Sequence, residues 1–201
     1  MFEPHLDLSD IGAQDTERDQ KILSRCLAAL AVYLQAGCTE KEAALSVWDG
    51  SDDNGIDAAF FDPSDLRVIL VQSKWINKGS GEPEAKELGA FTKGARDVIE
   101  QDNTGFRAAL HARFSDVALR LANPGTSVHL VVVTTGASAV AKHGMAILDS
   151  FAKDLNGNDP DAIASFEVMG LTEVYSGLAH DPTQSNVAMT LPLEHVPHSR
   201  L

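Results

Sequence analysis

The chain has 201 residues, 44% of them apolar and 22% charged, an ordinary globular composition with enough length to bury one sizeable core. That excludes a disulfide-dense miniprotein, a collagen-like repeat and a wholly disordered chain. Against 29 Asp and Glu stand 16 Lys and Arg, a net charge of -13, whose field repels nucleic acid and anionic membranes at long range.

Residues 1–13 read as a loose arm. From Thr16 to Gln35 the apolar residues Leu23, Cys26, Leu27, Leu30, Ala31 and Leu34 recur at three- and four-residue steps, which predicts an amphipathic helix stopped by Gly37. Thr39-Glu40-Lys41-Glu42 has the capping-box pattern, so a second helix starts at Thr39. The period then changes. Ile56–Phe61 and Arg67–Trp75 are β-branched and aromatic runs of strand length, separated by the turn signal Asp62-Pro63-Ser64-Asp65. Lys78–Pro83 is a Gly/Ser loop, and helical stretches follow over 84–100 and 103–121. Asn123-Pro124-Gly125 breaks the pattern before Ser127–Thr134, an almost wholly apolar strand of the kind covered on both faces. Residues 138–154 read as helical, 163–169 as extended, 171–178 as helical and 186–193 as extended. Helices first, then a hairpin, then strands alternating with helices predict a three-layer α/β domain around a mixed sheet. The expected organisation is a flexible arm (1–13), one domain (14–195) and a flexible tail (196–201).

Cys26 and Cys38 have no metal-ligand spacing, which predicts free thiols in a cytoplasmic chain. No early basic-then-apolar stretch suggests a signal peptide, and no run reaches the roughly 18 apolar residues of a membrane span. From Arg67 to Arg120 the chain holds nine basic residues against seven acids, so that segment is +2 and the remainder is -15. Just before it, Asp49–Asp65 contains six aspartates and no Lys or Arg. An acidic cluster followed by a net-basic stretch suits a site that holds a cation and meets a polyanion; solvated faces of uneven charge are the plainer reading.

If the two strands form a hairpin around Pro63–Leu66, Asp62 pairs with Arg67 and Asp57 lies opposite Gln72. Lys74 then shares the face of Gln72 by the two-residue period. A carboxylate, an amide oxygen and an ammonium converge beside the Asp52-Asp53 loop. Carboxylate and amide oxygens are hard ligands suited to Mg²⁺ or Mn²⁺, and a neighbouring lysine can stabilise charge developing on a phosphate.

Asp57 followed by Gln72-x-Lys74 resembles the metal-dependent PD-(D/E)xK nuclease superfamily. Asp53-Asn54-Gly55-Ile56-Asp57 with Val71-Gln72-Ser73-Lys74-Trp75 is similar to its Gly-Ile-Asp … Gln-x-Lys variant. That variant occurs in type IV methylation-dependent restriction endonucleases and, with the better fit, in the N-terminal region of abortive-infection phage-resistance (AIPR) proteins. The likeness covers roughly residues 14–180. It implies a restriction-endonuclease-like α/β/α fold with helices preceding a catalytic hairpin. It further implies Mg²⁺- or Mn²⁺-dependent endonuclease action on DNA, with RNA as the other substrate of the same chemistry, in anti-phage defence. Asp57 would be the metal-binding acid, Gln72 would occupy the second acid's position, Lys74 would be the catalytic lysine, and the Ser73 carbonyl would help hold the metal. A neutral amide binds a cation less well than a carboxylate, so another acid is expected: Asp53 first, then Asp52. Many members also use an acid on the first helix, here Glu17 or Asp19. Members of the AIPR group continue into a longer C-terminal region, so a partner region, a partner protein or a homo-oligomer is expected. A catalytically inactive nuclease-fold module that binds nucleic acid or assembles a larger defence complex is the alternative.

Plainer readings stand beside these. The acidic loop fails as an EF-hand, because Asn54 stands where the glycine is required and Phe60 where the Glu is; as a turn rich in Asp, Asn and Gly it would be unremarkable. Lys74 alone reads as a solvent-reaching strand end, Trp75 as core or lid, and Glu42 as the capping-box acid. The seven histidines (His5, His111, His129, His143, His180, His195, His198) show no ligand spacing.

Overall fold

The computed structural model describes residues 1–158 and 162–179; the strand expected at 186–193 and the tail expected at 196–201 lie outside them. Helix α1 spans Arg18–Ala36 and α2 spans Glu40–Leu45. The Thr39 hydroxyl accepts from the Glu42 N–H while the Glu42 carboxylate accepts from Thr39, closing the expected capping box. Strands β1 (Ala58–Asp62) and β2 (Arg67–Lys74) follow. They pair antiparallel from Ala58↔Val71 to Asp62↔Arg67, the expected register. The turn between them is closed by the Asp62 carboxylate, which accepts from the Ser64 N–H at 2.9 Å.

Helix α3 covers Ala85–Ile99 and α4 covers His111–Leu121. The helix expected from Asn103 starts later: a 3₁₀ turn at Ala108–Leu110 precedes α4. Residues 103–107 are drawn out of helix because the Arg107 N–H donates to the Asp52 carbonyl rather than along a helix. Strand β3 (Ser127–Thr134), helix α5 (Lys142–Asn156), strand β4 (Ala164–Met169) and helix α6 (Leu171–Ala179) complete the order. The result is a four-stranded mixed sheet in the order β1-β2-β3-β4, with β2, β3 and β4 mutually parallel.

Alternation along the strands explains the layers. Val68, Leu70, Leu130 and Val132 pack with Leu88 and Phe91 of α3, Phe114 of α4 and Leu148 and Phe151 of α5. Ile69, Val71, Val131 and Val133 pack on the other face with α1, α2 and α6. Both faces of β2 and β3 are therefore covered, which is why those strands read as nearly continuous apolar runs. Helix α1 is buried further round than its sequence stripe implies. Ala28, Ala29, Ala31 and Val32 are wholly buried while Leu23 is exposed.

The sheet and α2 cover that helix, and residues 1–13 are themselves packed rather than loose. Phe2 is 5% exposed and meets Tyr33 edge-on, and Ile11 is buried. The buried Arg25 guanidinium donates to the Asp7 carbonyl at 2.6 Å, to both Asp10 carboxylate oxygens at 2.8 and 2.6 Å, and to Asp49. A sequence stretch without periodicity is thus tied down by one cation.

Both cysteines are free, and burial pushes the Cys38 thiol up to about 11. Among the described residues no helix is long and apolar enough to cross a membrane.

Candidate metal centre and polar cavity

The loop from Asp49 to Asp57 is shaped by its own side chains and by α3 and α4. Asp53 folds it, its carboxylate accepting from the Gly55 N–H at 2.9 Å and the Gly50 N–H at 3.2 Å. Gly55 has φ +78°, and a Cβ there would press on the Phe91 backbone of α3. The Asn54 amide donates to Asp97 of α3 at 2.7 Å. From the other side, Arg107 donates to the Ser51 and Trp48 carbonyls at 2.9 Å each, and Arg113 to the Val47 carbonyl at 2.9 Å.

Held this way, Asp49, Asp53 and Asp57 each place a carboxylate oxygen within 4.8 Å of the other two. Burial, then the charges of Asp49 and Asp53, push the Asp57 carboxyl well above the usual range. Burial also raises Asp53, against the hydrogen bonds from Gly55 and Gly50. Burial raises Asp49 too, opposed by Arg25. Three carboxylates this close repel one another, and together they could hold a cation.

Gly94 in α3 lies directly over the Asn54 carbonyl, where an added Cβ would overlap the oxygen. Alanine normally favours a helix interior by about 0.8–1.0 kcal/mol over glycine. Here the overlap, at about 1–3 kcal/mol, outweighs that gain. Gly94→Ala is expected to lower Tm and weaken Mn²⁺ binding together; a raised Tm with unchanged binding would show that the loop does not depend on this contact.

Beside the cluster is a polar cavity of about 280 Å³ lined by Gln20, Ser24, Asp57, Gln72, Ser73, Lys74, Trp75 and Glu87. Asp57 enters it differently from the expectation that it lies opposite Gln72. The ladder ends at Ala58↔Val71. The Asp57 N–H donates to the Val71 carbonyl at 2.8 Å, while the Asp57 carbonyl accepts from the Trp48 and Asp49 N–H groups. Its carboxylate therefore sits at the sheet edge, accepting from the Ser73 N–H at 2.5 Å and the Ser73 hydroxyl at 2.9 Å. A strand residue's N–H and C=O share an edge, so the Ser73 carbonyl is on the edge that holds Asp57.

Gln72 and Lys74 project on the α3 side. Gln72 Nε2 donates to the Glu87 carbonyl at 3.2 Å and Lys74 Nζ ion-pairs with the Glu87 carboxylate. Gln72 Oε1 is buried and has no hydrogen-bond partner, an orphaned hard acceptor at a cavity wall.

The structure brings together Asp57, Gln72, Ser73 and Lys74, with Asp53 next to Asp57. Asp52 is left out: it is exposed, in a left-handed conformation, and outside the cluster. Glu17 and Asp19 are also exposed and do not line the cavity. Helix α1 contributes Gln20 and Ser24 instead, because its next turn is the one that faces β2. Glu42 is engaged by Thr39.

Two acids escaped sequence reasoning. Asp49 had a signal in the even four-residue spacing Asp49, Asp53, Asp57. Glu87 was legible only as the partner of Glu84 in a second capping box. Of the nine basic residues from Arg67 to Arg120, seven are held by carboxylates or main-chain carbonyls within the chain. Among the described residues the remaining two, Lys78 and Lys86, are exposed and have no such partner. Comparison with protein-family models, curated proteins and solved structures finds no match to this chain.

Proposed function

We propose that this chain is a restriction-endonuclease-like nuclease that hydrolyses phosphodiester bonds in DNA with Mg²⁺ or Mn²⁺, in defence against phage. The observation that carries the reading is one polar cavity joining Asp57, the unpartnered Gln72 Oε1 and the Lys74 ammonium beside three clustered carboxylates. The donor set fits a hard divalent cation: carboxylate oxygens from Asp57, Asp53 and Asp49, the Gln72 amide oxygen and the Ser73 carbonyl. When bound, such an ion supplies Lewis acidity toward a phosphate oxygen and a more acidic water.

The chain's own residues do the rest. Asp57 is oriented by Ser73, and the Lys74 ammonium offers a donor to charge developing on the phosphate. Of the nine basic residues between Arg67 and Arg120, Lys78 and Lys86 are the ones left to meet a phosphate backbone. The order of helix, antiparallel hairpin, helices and parallel strand supports the fold named by the resemblance.

Cleavage of plasmid DNA by pure protein, with and without Mg²⁺ or Mn²⁺ and with Asp57→Ala as control, tests the reading. Metal-dependent nicking that Asp57→Ala abolishes supports it; no cleavage by the parent under either metal removes it. The charge accounting favours a second reading, an inactive nuclease-fold module for assembly of a larger defence complex. Seven internally held cations leave little to grip a polyanion, and under that reading the parent binds metal and cuts nothing. Gln72→Glu adds a negative ligand where the superfamily resemblance implies an acid. It is expected to tighten Mn²⁺ binding about tenfold, or roughly 1.4 kcal/mol, and to retain part of the cleavage activity. Unchanged binding in titration calorimetry would place Gln72 outside the metal's ligands, whereas weaker binding would show that losing the donor to the Glu87 carbonyl outweighs the added charge.

A further inference from the structure

Strand β2 sends two polar side chains toward α3, and one residue receives both. Glu87 accepts from Gln72 Nε2 through its main-chain carbonyl at 3.2 Å, and it binds Lys74 Nζ through carboxylate oxygen Oε1. Its other oxygen accepts from the Glu84 N–H at 2.9 Å, half of the capping box that starts α3. That cap needs one oxygen of Glu87; the second is free for the ammonium.

The carbonyl contact has a chemical consequence. A carbonyl only accepts, so the nitrogen end of the Gln72 amide must face α3. The oxygen end is then the one left buried and unpartnered at the cavity that Gln72 lines. The frame holding Glu87 is stiff: the next residue, Leu88, and Phe91 one turn on are wholly buried, and α3 meets the acidic loop in backbone contact at Gly55 and Gly94.

We propose that Glu87 is a positioning residue for this cavity. Its carbonyl makes Gln72 present oxygen rather than nitrogen, and its carboxylate sets where the Lys74 ammonium rests. The consequence for rate rests on the nuclease reading; the placement of the two side chains does not.

Glu87→Leu and Glu87→Gln, each made in the parent and in a Lys74→Met background, separate these parts. In Mg²⁺-dependent plasmid cleavage, Glu87→Leu lowers kcat about 10²-fold while KM stays within about twofold. Glu87→Gln recovers part of that loss: its single amide oxygen still accepts from the ammonium, but only by turning the NH2 toward the Glu84 N–H and giving up that half of the cap. In the Lys74→Met background neither change lowers kcat further, whereas a residue needed only to cap α3 would cost the same in both.

A second readout needs no cleavage. With lysines reductively methylated with carbon-13, the Lys74 signal, identified by its absence from Lys74→Met, shifts in Glu87→Leu. Mn²⁺ affinity in calorimetry stays within about threefold, since the main-chain grip on Gln72 is untouched. A Lys74 signal indifferent to Glu87→Leu, or equal kcat losses in both backgrounds, overturns the proposal. A signal that moves in a protein that cuts nothing keeps the positioning role and overturns the nuclease reading instead.

Discussion

Lys74→Met is expected to lower the rate of metal-dependent DNA cleavage by about 10²–10³, roughly 2.7–4 kcal/mol, by analogy with removal of one preorganised donor. Methionine keeps the aliphatic stem that packs along β2 and deletes only the charge. Lys74 is held by a single carboxylate, that of Glu87, and its side chain is 39% exposed. The pair's contribution to stability is therefore small, in the range of about 0–1 kcal/mol. That contrast makes the prediction sharp: a large change in rate with little change in Tm. Metal affinity should hold or rise, since a cation is removed from beside the ligands. A single-turnover cleavage assay together with Mn²⁺ calorimetry checks both halves. If Lys74→Met cuts as fast as the parent, Lys74 is a solvent-reaching strand end and the nuclease reading loses its donor.

Much of the architecture was legible because it follows from local rules. Thr39 and Glu42 form the capping box their spacing predicts. The Asp62–Asp65 turn sets a hairpin register that holds from Ala58 to Val71, and Ser127–Thr134 is the strand its composition implies. What was illegible depends on contacts between distant segments. Residues 1–13 have no periodicity, and their order comes from the Phe2 ring on α1 and the Arg25 guanidinium. The last step of the register was lost at Asp57, where the hydrogen bonds of Trp48 and Asp49 pull its backbone out of the ladder. Extrapolating the two-residue period past Ala58 assigned Asp57 a face that it leaves for the sheet edge.

The site was read in the same proportion. Spacing pointed to Asp57, Gln72 and Lys74 because they lie at the neighbouring ends of two strands joined by a short turn. Asp53 was preferred over Asp52, and the structure sets Asp53 beside Asp57 for a reason the sequence does not carry: its carboxylate is held by the Gly50 and Gly55 N–H groups. Glu87 lies 13 residues beyond Lys74, across a glycine-rich loop whose course no pattern predicts. The net-basic segment misled in one respect. Arg107 and Arg113, counted as a surface for nucleic acid, donate to the carbonyls that shape the acidic loop.

Asp57→Asn is expected to stabilise the metal-free protein and to abolish its stabilisation by metal. Two carboxylates about 5 Å apart repel by roughly 3 kcal/mol at an effective dielectric near 20; the cluster evades part of that by retaining protons, leaving about 1 kcal/mol or more for the substitution to recover. Asparagine still accepts from the Ser73 N–H, so the fold is not disturbed. In the parent, a divalent cation at about 100 times its Kd adds roughly 2.7 kcal/mol, or some 5–10 °C in Tm for a chain of this size. The pH dependence gives a further check. Asp49, Asp53 and Asp57 have folded pKa values raised above about 3.8, so their stabilisation is full below that pH and is lost as pH rises through the raised values. His129, lowered by burial, slopes the other way below about pH 6.5, but it is common to both proteins and cancels in their difference. The Tm gap between Asp57→Asn and parent without metal should therefore widen from about pH 4 upward, and Mg²⁺ should close or reverse it. A gap that stays constant with pH, or equal Mg²⁺-induced shifts in both proteins, would show that these carboxylates do not share a cation.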